Sequence, residues 1–198
     1  MKYYIVGAGE FAQEKFKPEK DNVVIAADAG VAYAGARADI AVGDWDSLRR
    51  IPQDVKTITL PVEKDFTDTG EAVNIALARG AEEIVMFGAG GGRADHYLAN
   101  LQYLAMLADR GVRASMVCPD CTIFAMAAGE RDFAGRGRII SLIPVRERVT
   151  VSISGVKYPL KKHLMPADNP GLGVSNVIEE NSARVVVHEG VVLVIVND

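Results

Sequence analysis

Short apolar runs alternate with segments of helical spacing over the first two-thirds of the chain. The strand-like runs are Tyr3–Val6, Val23–Ala27, Ile40–Val42, Thr57–Leu60, Glu83–Phe87 and Ala114–Val117. The clearest helical segments are Thr69–Arg79 and Asp95–Arg110. Strands that alternate with helices form parallel sheets covered on both faces. The pattern therefore predicts a parallel-sheet α/β domain over residues 1–120.

The two predicted helices also carry local signals. Asp68 stands at the N-cap position of the first, Glu71 follows three residues later as in a capping box, and Gly80 marks the end. In the second, apolar residues recur on one predicted face, at Leu98, Leu101, Ala105 and Ala108.

The pattern changes after about Asp120, where short β-rich runs follow one another between Gly, Pro, Asn and Asp residues. These runs are Thr122–Met126, Arg138–Ile143, Val149–Ile153, Arg184–His188 and Val191–Val196. They predict an antiparallel β-sandwich or barrel over residues 121–198. Lys161–Ser175 is rich in Pro, Gly and Asn, which predicts a long loop that is a candidate functional segment.

Charge is distributed unevenly along this 198-residue chain of formal net charge −4. Asp39–Glu71 holds eight acidic and four basic residues, whereas Arg131–Met165 holds eight Lys or Arg against two acidic residues. Two solvated surfaces would explain this, as would an acidic metal site facing a basic surface that handles phosphate or a subunit partner. The basic residues are too dispersed, and too poor in aromatic neighbours, to predict nucleic-acid binding.

Two further features bear on location. No apolar run approaches the roughly 20 residues that a membrane-spanning helix needs. The amino terminus leads directly into a strand-like pattern without the layout of a signal peptide. We therefore expect no membrane association and a cytoplasmic protein.

A first block with candidate chemistry, Gly43-Asp44-Trp45-Asp46-Ser47, directly follows the predicted strand Ile40–Val42. At an extended strand end, side chains two residues apart point the same way, so Asp44 and Asp46 can converge. Ligands of α/β sheets bind beyond the carboxyl ends of strands, and Mg²⁺ is commonly held there by one or two carboxylates and substrate phosphates. A turn-forming, Asp-rich loop is the alternative.

A second block, Glu63-Lys64-Asp65-Phe66-Thr67-Asp68, leads into the first predicted helix. Free N–H groups and the helix dipole favour phosphate at such a position. Lys64 could contact a phosphate as a point charge. Asp68 could serve the same site or simply cap the helix.

A third block, Gly90-Gly91-Gly92-Arg93-Ala94-Asp95-His96, lies between a predicted strand and the second helix. Consecutive glycines let backbone N–H groups approach a phosphate, and Arg93 offers a planar fork for two phosphate oxygens. His96 could be an ordinary helix-start side chain or a partner of Asp95. The block is not a Walker A loop, because no Gly-Lys-Ser/Thr follows.

Another glycine loop, Gly7-Ala8-Gly9, follows the first strand, and Asp28 ends the second strand about twenty residues later. This outline resembles a dinucleotide-binding fingerprint. Against a nicotinamide or flavin role, Pro18 interrupts the helix that should follow, and hydride transfer has no use for the acidic blocks. The loop could still hold a nucleotide in another way.

In this order the three blocks resemble those of the thiamine pyrophosphokinase family. The resemblance continues through Ser141-Leu142-Ile143-Pro144, Gly155–Leu160, Gly173-Val174-Ser175-Asn176 and Gly190–Ile195, and so covers nearly the whole chain. It implies an α/β domain followed by a β-sandwich, and a homodimer with each active site at the subunit interface. It also implies transfer of the diphosphate of ATP to the hydroxyl of thiamine, giving thiamine diphosphate and AMP.

The resemblance also implies roles for individual residues. The metal ligands for Mg²⁺ would be Asp44, Asp46 and Asp68, and these act catalytically with Asp95 and Arg93. The ATP-binding residues would be Asp28, Lys64, Asp65, Thr67, Gly91, Gly92, Arg93 and His96. Thiamine would contact Tyr158, Ser175 and Asn176 of the partner subunit.

Two positions depart from the family pattern: Ala29 stands where Gly is common, and Val177 stands where an acidic residue is common. An archaeal family that diphosphorylates 6-hydroxymethyl-dihydropterin resembles the acidic blocks and shares the chemistry, so it is the first alternative. A regulatory module that binds Mg-nucleotide without turnover is the second.

Overall fold

The computed structural model describes residues 1–45, 54–166, 169 and 171–198. The chain divides into two compact units. The first comprises Met1–Tyr103 and Ser115–Pro119, and the second comprises Leu104–Ala114 and Asp120–Asp198. The domain boundary expected at residue 120 stays a prediction.

The first unit contains the elements of an α/β fold. In chain order they are β1 (Lys2–Val6), β2 (Val23–Ala27), α1 (Val31–Ala34), β3 (Ile40–Gly43), β4 (Lys56–Thr59), α2 (Asp68–Ala78), β5 (Glu83–Phe87), α3 (Ala94–Asp109) and β6 (Arg113–Val117). Both α3 and β6 have residues in each unit. The sheet order is β5-β1-β2-β3-β4, and every neighbouring pair is parallel.

This sheet confirms the predicted fold class, and burial explains why the strands form. In β1, β2 and β5 the last four residues are all buried, and β3 is buried throughout. Consecutive buried residues mean that both faces of the sheet are covered. Because the strands run parallel, the segments that follow β1, β2, β3 and β5 all begin at the same edge of the sheet.

Both predicted helices are present, with two corrections. The N-cap of α2 is Thr67, whose side chain accepts a hydrogen bond from the N–H of Gly70 at 3.0 Å, so Asp68 is the first helical residue and the capping box is absent. In α3, Leu98 is 62% exposed, whereas Ala105 and Ala108 are buried. The predicted apolar face therefore does not extend to the first turns of α3.

The second unit is rich in antiparallel strands. They are β7 (Cys121–Met126), β8 (Gly129–Ala134), β9 (Ile139–Pro144), β10 (Thr150–Ser154), β11 (Leu160–Leu164), β12 (Asn176–Val177), β13 (Ser182–Glu189) and β14 (Val192–Asn197). One group has the order β12-β9-β14-β7 and the other β11-β10-β13-β8. Alternate residues of both groups, among them Ile153, Val185, Leu142 and Val194, form one buried core. This is the predicted sandwich.

Three strands of the second unit lie outside the predicted set. β8, β11 and β12 are short or charged edge strands, and β11 (Leu160–Leu164) takes up the beginning of the predicted loop Lys161–Ser175. Some of the basic residues between Arg131 and Met165 pair with carboxylates that are distant in the sequence: Arg138 with Asp198, and Arg148 with Glu189. These pairs favour a solvated surface as the explanation of that charge.

Within the described part of the chain, the helices are too short or too polar to cross a bilayer.

Candidate active site

A cavity of about 270 Å³ opens in the first unit, at the edge of the sheet where the strands end. Its walls come from the segments after β1, β2 and β5 and from the first turns of α2 and α3. The lining residues are Ala8, Gly9, Ala27, Asp28, Asp68, Thr69, Gly88 to Gly92, Arg93, His96 and Asn100. The second and third sequence blocks therefore meet at one place.

Two glycine loops interlock on one side of the cavity. The N–H of Gly7 donates to Phe87 O at 2.8 Å, the N–H of Gly9 to Gly88 O at 2.7 Å, and the N–H of Glu10 to Gly90 O at 3.0 Å. These N–H donors of the loop after β1 are thus already bonded to backbone carbonyls of the protein. The loop is followed by a three-residue 3₁₀ turn at Gln13–Lys15. A dinucleotide fingerprint needs free donors and a helix there, so the structure argues against that alternative.

The loop after β5 has a backbone that favours glycine. Gly91 and Gly92 have φ of 68° and 64°, a left-handed conformation that other residues rarely adopt. Asn100, buried on α3, donates from Nδ2 to Ala89 O at 2.8 Å and holds this loop from the helix side. The loop is therefore fixed in place before any ligand arrives.

An acidic cluster surrounds Lys64, at the entry to α2. The Nζ atom of Lys64 lies 2.6 Å from Asp44 Oδ2 and 3.0 Å from Asp68 Oδ1. Asp28 approaches from the end of β2, since a Cβ built on Gly43 would lie 3.2 Å from Asp28 Cα. Of this cluster, Asp28 and Asp68 line the cavity, and Lys64 links Asp68 to Asp44.

Two oxygens of this cluster are buried with unmet hydrogen-bonding capacity. Asp28 Oδ1 and Asp68 Oδ1 accept no hydrogen bond of good geometry from the described residues, although Asp68 Oδ1 has its ion pair with Lys64. Hard anionic oxygens of this kind suit Mg²⁺, so the residues fit a divalent cation. Within the described ranges, no group of three or more Asp, Glu, His or Cys side chains has an arrangement that could hold a metal ion. Asp46, a predicted ligand, lies outside the described residues.

The electrostatics of the cluster show competition between burial and pairing. Burial raises the pKa of Asp68 above its usual value, with further contributions from Asp44 and Asp28, and the hydrogen bond from Lys64 only partly offsets this. Burial acts to lower the pKa of Lys64, but its bonds to Asp44 and Asp68 outweigh burial and raise that pKa. A buried lysine that stays charged is thus held among carboxylates.

Arg93 and Asp95 form a two-pronged ion pair at the mouth of the cavity, with Nε–Oδ1 at 3.1 Å and Nη2–Oδ2 at 2.6 Å. Both side chains are exposed. The bond from Arg93, and then one from the N–H of His96, lower the pKa of Asp95 to about 2. His96 lines the cavity. Its hydrogen bond to Asp95 comes from the backbone N–H and not from the imidazole ring.

Replacing Arg93 with Gln should raise the pKa of Asp95 toward the usual value of about 3.9. The reason is that the main interaction favouring the ionised carboxyl is lost, while the bond from the N–H of His96 remains. Carboxyl ¹³C NMR titration measures this directly. Arg79→Gln, at the end of α2, serves as the control and should leave the titration of Asp95 unchanged. An unchanged Asp95 in the Arg93 variant would show that the pair does not form in solution.

Not every predicted site residue joins the cavity. Thr67 acts as the cap of α2, and Asp65 is exposed and absent from the cavity lining. Conversely, sequence reasoning missed Asn100 and Glu10, which both support the glycine loop. The four-residue spacing of His96 and Asn100, which puts them on one face of α3, was a signal that could have identified Asn100.

In the second unit, the three predicted substrate contacts lie around β12. Asn176 Oδ1 accepts from the N–H of Tyr158 at 3.0 Å, and its Nδ2 donates to Tyr158 O at 2.8 Å. Ser175 has φ of 60° and is held by a bond from its N–H to Ser141 Oγ at 3.0 Å. The side chain of Tyr158 is 61% exposed. Asn176 therefore fixes the backbone that presents an exposed aromatic ring.

Comparison with family models finds two matches along the chain. Residues 17–116 match the model described as the catalytic domain of thiamin pyrophosphokinase. Residues 130–192 match the model described as its vitamin B1 binding domain. The first match falls mainly in the first unit, and the second falls within the second unit.

Individual relatives agree with these matches. A thiamine pyrophosphokinase of Bacillus subtilis (strain 168) is 34% identical over 129 residues, which are 61% of this chain and 60% of that protein. The crystal structure of a thiamine pyrophosphokinase from Bacillus subtilis superposes with a TM-score of 0.87 at 25% identity, covering 100% of this chain and 99% of the other. A thiamin pyrophosphokinase from Geobacillus thermodenitrificans superposes with a TM-score of 0.84 at 27% identity, covering 100% and 98%.

Proposed function

The chain belongs to the thiamin pyrophosphokinase family, and we propose that it transfers the diphosphate group of ATP to the hydroxyl of thiamine, giving thiamine diphosphate and AMP. The observation that carries this proposal is the meeting of the acidic cluster and the glycine loop around one cavity. The first supplies cation ligands and the second leaves room for phosphates. The match of residues 130–192 to a vitamin B1 binding domain supports thiamine as the acceptor.

The first unit would hold the nucleotide. Gly92 leaves open space for phosphate oxygens beside the backbone, and Arg93 can exchange its exposed partner Asp95 for a phosphate. Asp28, Asp44 and Asp68 would hold Mg²⁺, with Asp46 as a further ligand. When bound, Mg²⁺ neutralises charge on the transferring phosphates. The protein's own part is then to position ATP and the acceptor hydroxyl for in-line attack on the β-phosphorus.

The second unit would hold thiamine through Tyr158 and Ser175, while Asn176 acts on Tyr158. An exposed aromatic ring offers a face for stacking on a flat, cationic ligand. The adjacent Lys157 ammonium lies 5.4 Å from the centre of that ring. It would leave the ring when thiamine binds, since two cations compete for one face.

Replacing Asn176 with Ala should raise KM for thiamine by about tenfold and leave KM for ATP unchanged, because the two hydrogen bonds that fix Tyr158 are lost. Asn176→Asp keeps the acceptor and loses the donor, so its effect should be intermediate. Steady-state kinetics with each substrate varied in turn measures both constants. Asn74→Ala, on the surface of α2, is the matched control. Equal effects on both KM values would contradict a role specific to thiamine.

We also propose a homodimer with each active site at the subunit interface, acting in the cytoplasm where ATP is available. The support is a set of apolar side chains exposed on the second unit, at Ile139, Tyr158, Leu172 and Val174. Exposed apolar groups of this kind often mark a partner's surface. Sedimentation equilibrium tests the assembly, and a monomer at assay concentrations would refute it.

AMP release from Mg-ATP, with thiamine and the hydroxymethyl pterin in parallel reactions, tests the function itself. We expect AMP and thiamine diphosphate with thiamine alone. AMP with the pterin alone would keep the mechanism and replace the acceptor. ATP binding without AMP in either reaction would indicate the regulatory module instead.

A further inference from the structure

Lys64 lies between Asp44 and Asp68, two of the predicted Mg²⁺ ligands. Its ammonium group is within 3.0 Å of a carboxylate oxygen of both Asp44 and Asp68, and its side chain is only 8% exposed. Asp44 and Asp68 are themselves 11% and 22% exposed. This is an enclosed bridge between two predicted metal ligands, and it differs from a surface ion pair, which water would screen.

The charges explain why such a bridge is needed. Asp44 and Asp28 both act against the charged form of Asp68, because like charges repel one another where water is largely excluded. Lys64 brings one positive charge to the two carboxylates that it contacts. It therefore offsets part of the negative charge that Asp44 and Asp68 carry.

In this position Lys64 also hinders the binding of a divalent cation to Asp44 and Asp68. Mg²⁺ needs direct oxygen ligands at about 2.0–2.1 Å and demands near-octahedral geometry. An ammonium group this close to Asp44 and Asp68 repels a second cation at the same oxygens, so a divalent cation and Lys64 compete for them. Once displaced, the Lys64 ammonium group needs another anionic partner. On the proposed function, the phosphates of the bound nucleotide provide that partner.

We propose that Lys64 is a resident counter-cation that blocks the divalent site until the nucleotide arrives. This proposal rests on the proposed function only for the identity of the arriving anion. In the nucleotide-free protein Lys64 partly neutralises the charge of Asp44 and Asp68. When Mg-nucleotide enters, the ammonium moves from the carboxylates to a phosphate, and the cation takes the freed oxygens. Metal and nucleotide binding are thereby coupled through one side chain.

Direct Mn²⁺ binding to the nucleotide-free protein tests this, using electron paramagnetic resonance to count free Mn²⁺. The Lys64→Gln variant should bind Mn²⁺ about tenfold more tightly than the unaltered protein, because the competing ammonium is gone. Lys64→Met, which keeps most of the aliphatic stem, repeats the test should the Gln variant fold poorly. Lys2→Gln removes a different ion pair of the first unit, in which Lys2 Nζ lies 3.0 Å from Glu83 Oε1, and should leave Mn²⁺ binding unchanged.

A second measurement needs no variant. Amine acetylation followed by mass spectrometry should label Lys64 slowly in the metal-free protein and faster at saturating Mn²⁺, with Lys2 as the internal reference. Mn²⁺ binding that is equal or weaker in both Lys64 variants would overturn the proposal, as would unchanged labelling of Lys64. Neither readout uses thiamine or turnover, so failure here is distinguishable from failure of the proposed function.

Discussion

Replacing Asp68 with Asn should lower kcat for AMP release by about 10²- to 10³-fold, the usual cost of removing one preorganised charged or polar group from a reacting centre. Asp68 lines the cavity, carries a buried oxygen without a hydrogen bond of good geometry from the described residues, and contacts Lys64. Asn has the same shape but no charge, so it weakens both the hold on Mg²⁺ and the neutralisation of Lys64.

This loss should not arise from unfolding. The pKa of Asp68 is raised because burial disfavours its charged form, so a neutral side chain is tolerated at that place. Thermal denaturation of the variant checks this. Glu71→Gln, three residues later on α2 and outside the cavity lining, should keep normal kcat. A kcat for Asp68→Asn within a few-fold of normal would remove Asp68 from the reacting centre.

Replacing Gly9 with Ala should raise KM for ATP by about tenfold or more and lower stability by about 2 kcal/mol. The added Cβ would lie 2.3 Å from Gly90 O and 2.9 Å from Gly88 O. Both are backbone atoms of the loop that would hold phosphates, and they cannot rotate away as a side chain can. The two interlocked loops must therefore separate, and the cavity changes shape.

Gly80→Ala serves as a control that distinguishes a change in the nucleotide site from backbone strain alone. Gly80, after α2, has φ of 76° and nothing within 4 Å of a built Cβ. Gly80→Ala should lose about 1–2 kcal/mol from the left-handed backbone and keep a normal KM for ATP. Melting temperatures and ATP-dependent kinetics of both variants give the comparison. A normal KM for ATP in Gly9→Ala would show that the β1 loop does not shape the nucleotide site.

Strongly periodic elements could be predicted from sequence because their burial is encoded in consecutive residues. Val23–Ala27 and Glu83–Phe87 were predicted with the same bounds that the structure shows. Edge strands could not be predicted in this way. β8 and β11 are largely exposed and carry charge, and they become strands through pairing with β13 and β10. The partner of β8 is far away in the chain, which no local pattern reports. The partner of β11 is nearby, but the exposed residues of β11 lack the alternation of buried and exposed positions that marks a strand.

The candidate site divides in the same manner. The order of three acidic and glycine-rich blocks was enough to indicate the family, and the family models agree. Spacing left Asp68 either as the helix cap or as part of the site, whereas the structure makes Thr67 the cap and leaves Asp68 to face Lys64. The roles of the individual site residues stay predictions.

By itself, the sequence determined the strands of the parallel sheet, the change to antiparallel structure near residue 120 and the family to which the blocks belong. These depend on local periodicity and on residue types at fixed spacing. Only the tertiary structure decided that Asn100 supports the glycine loop, that Asn176 positions Tyr158, and that Lys64 bridges Asp44 and Asp68. Such contacts join side chains from segments that meet only after the sheets form, so their distances depend on the packing of the whole unit.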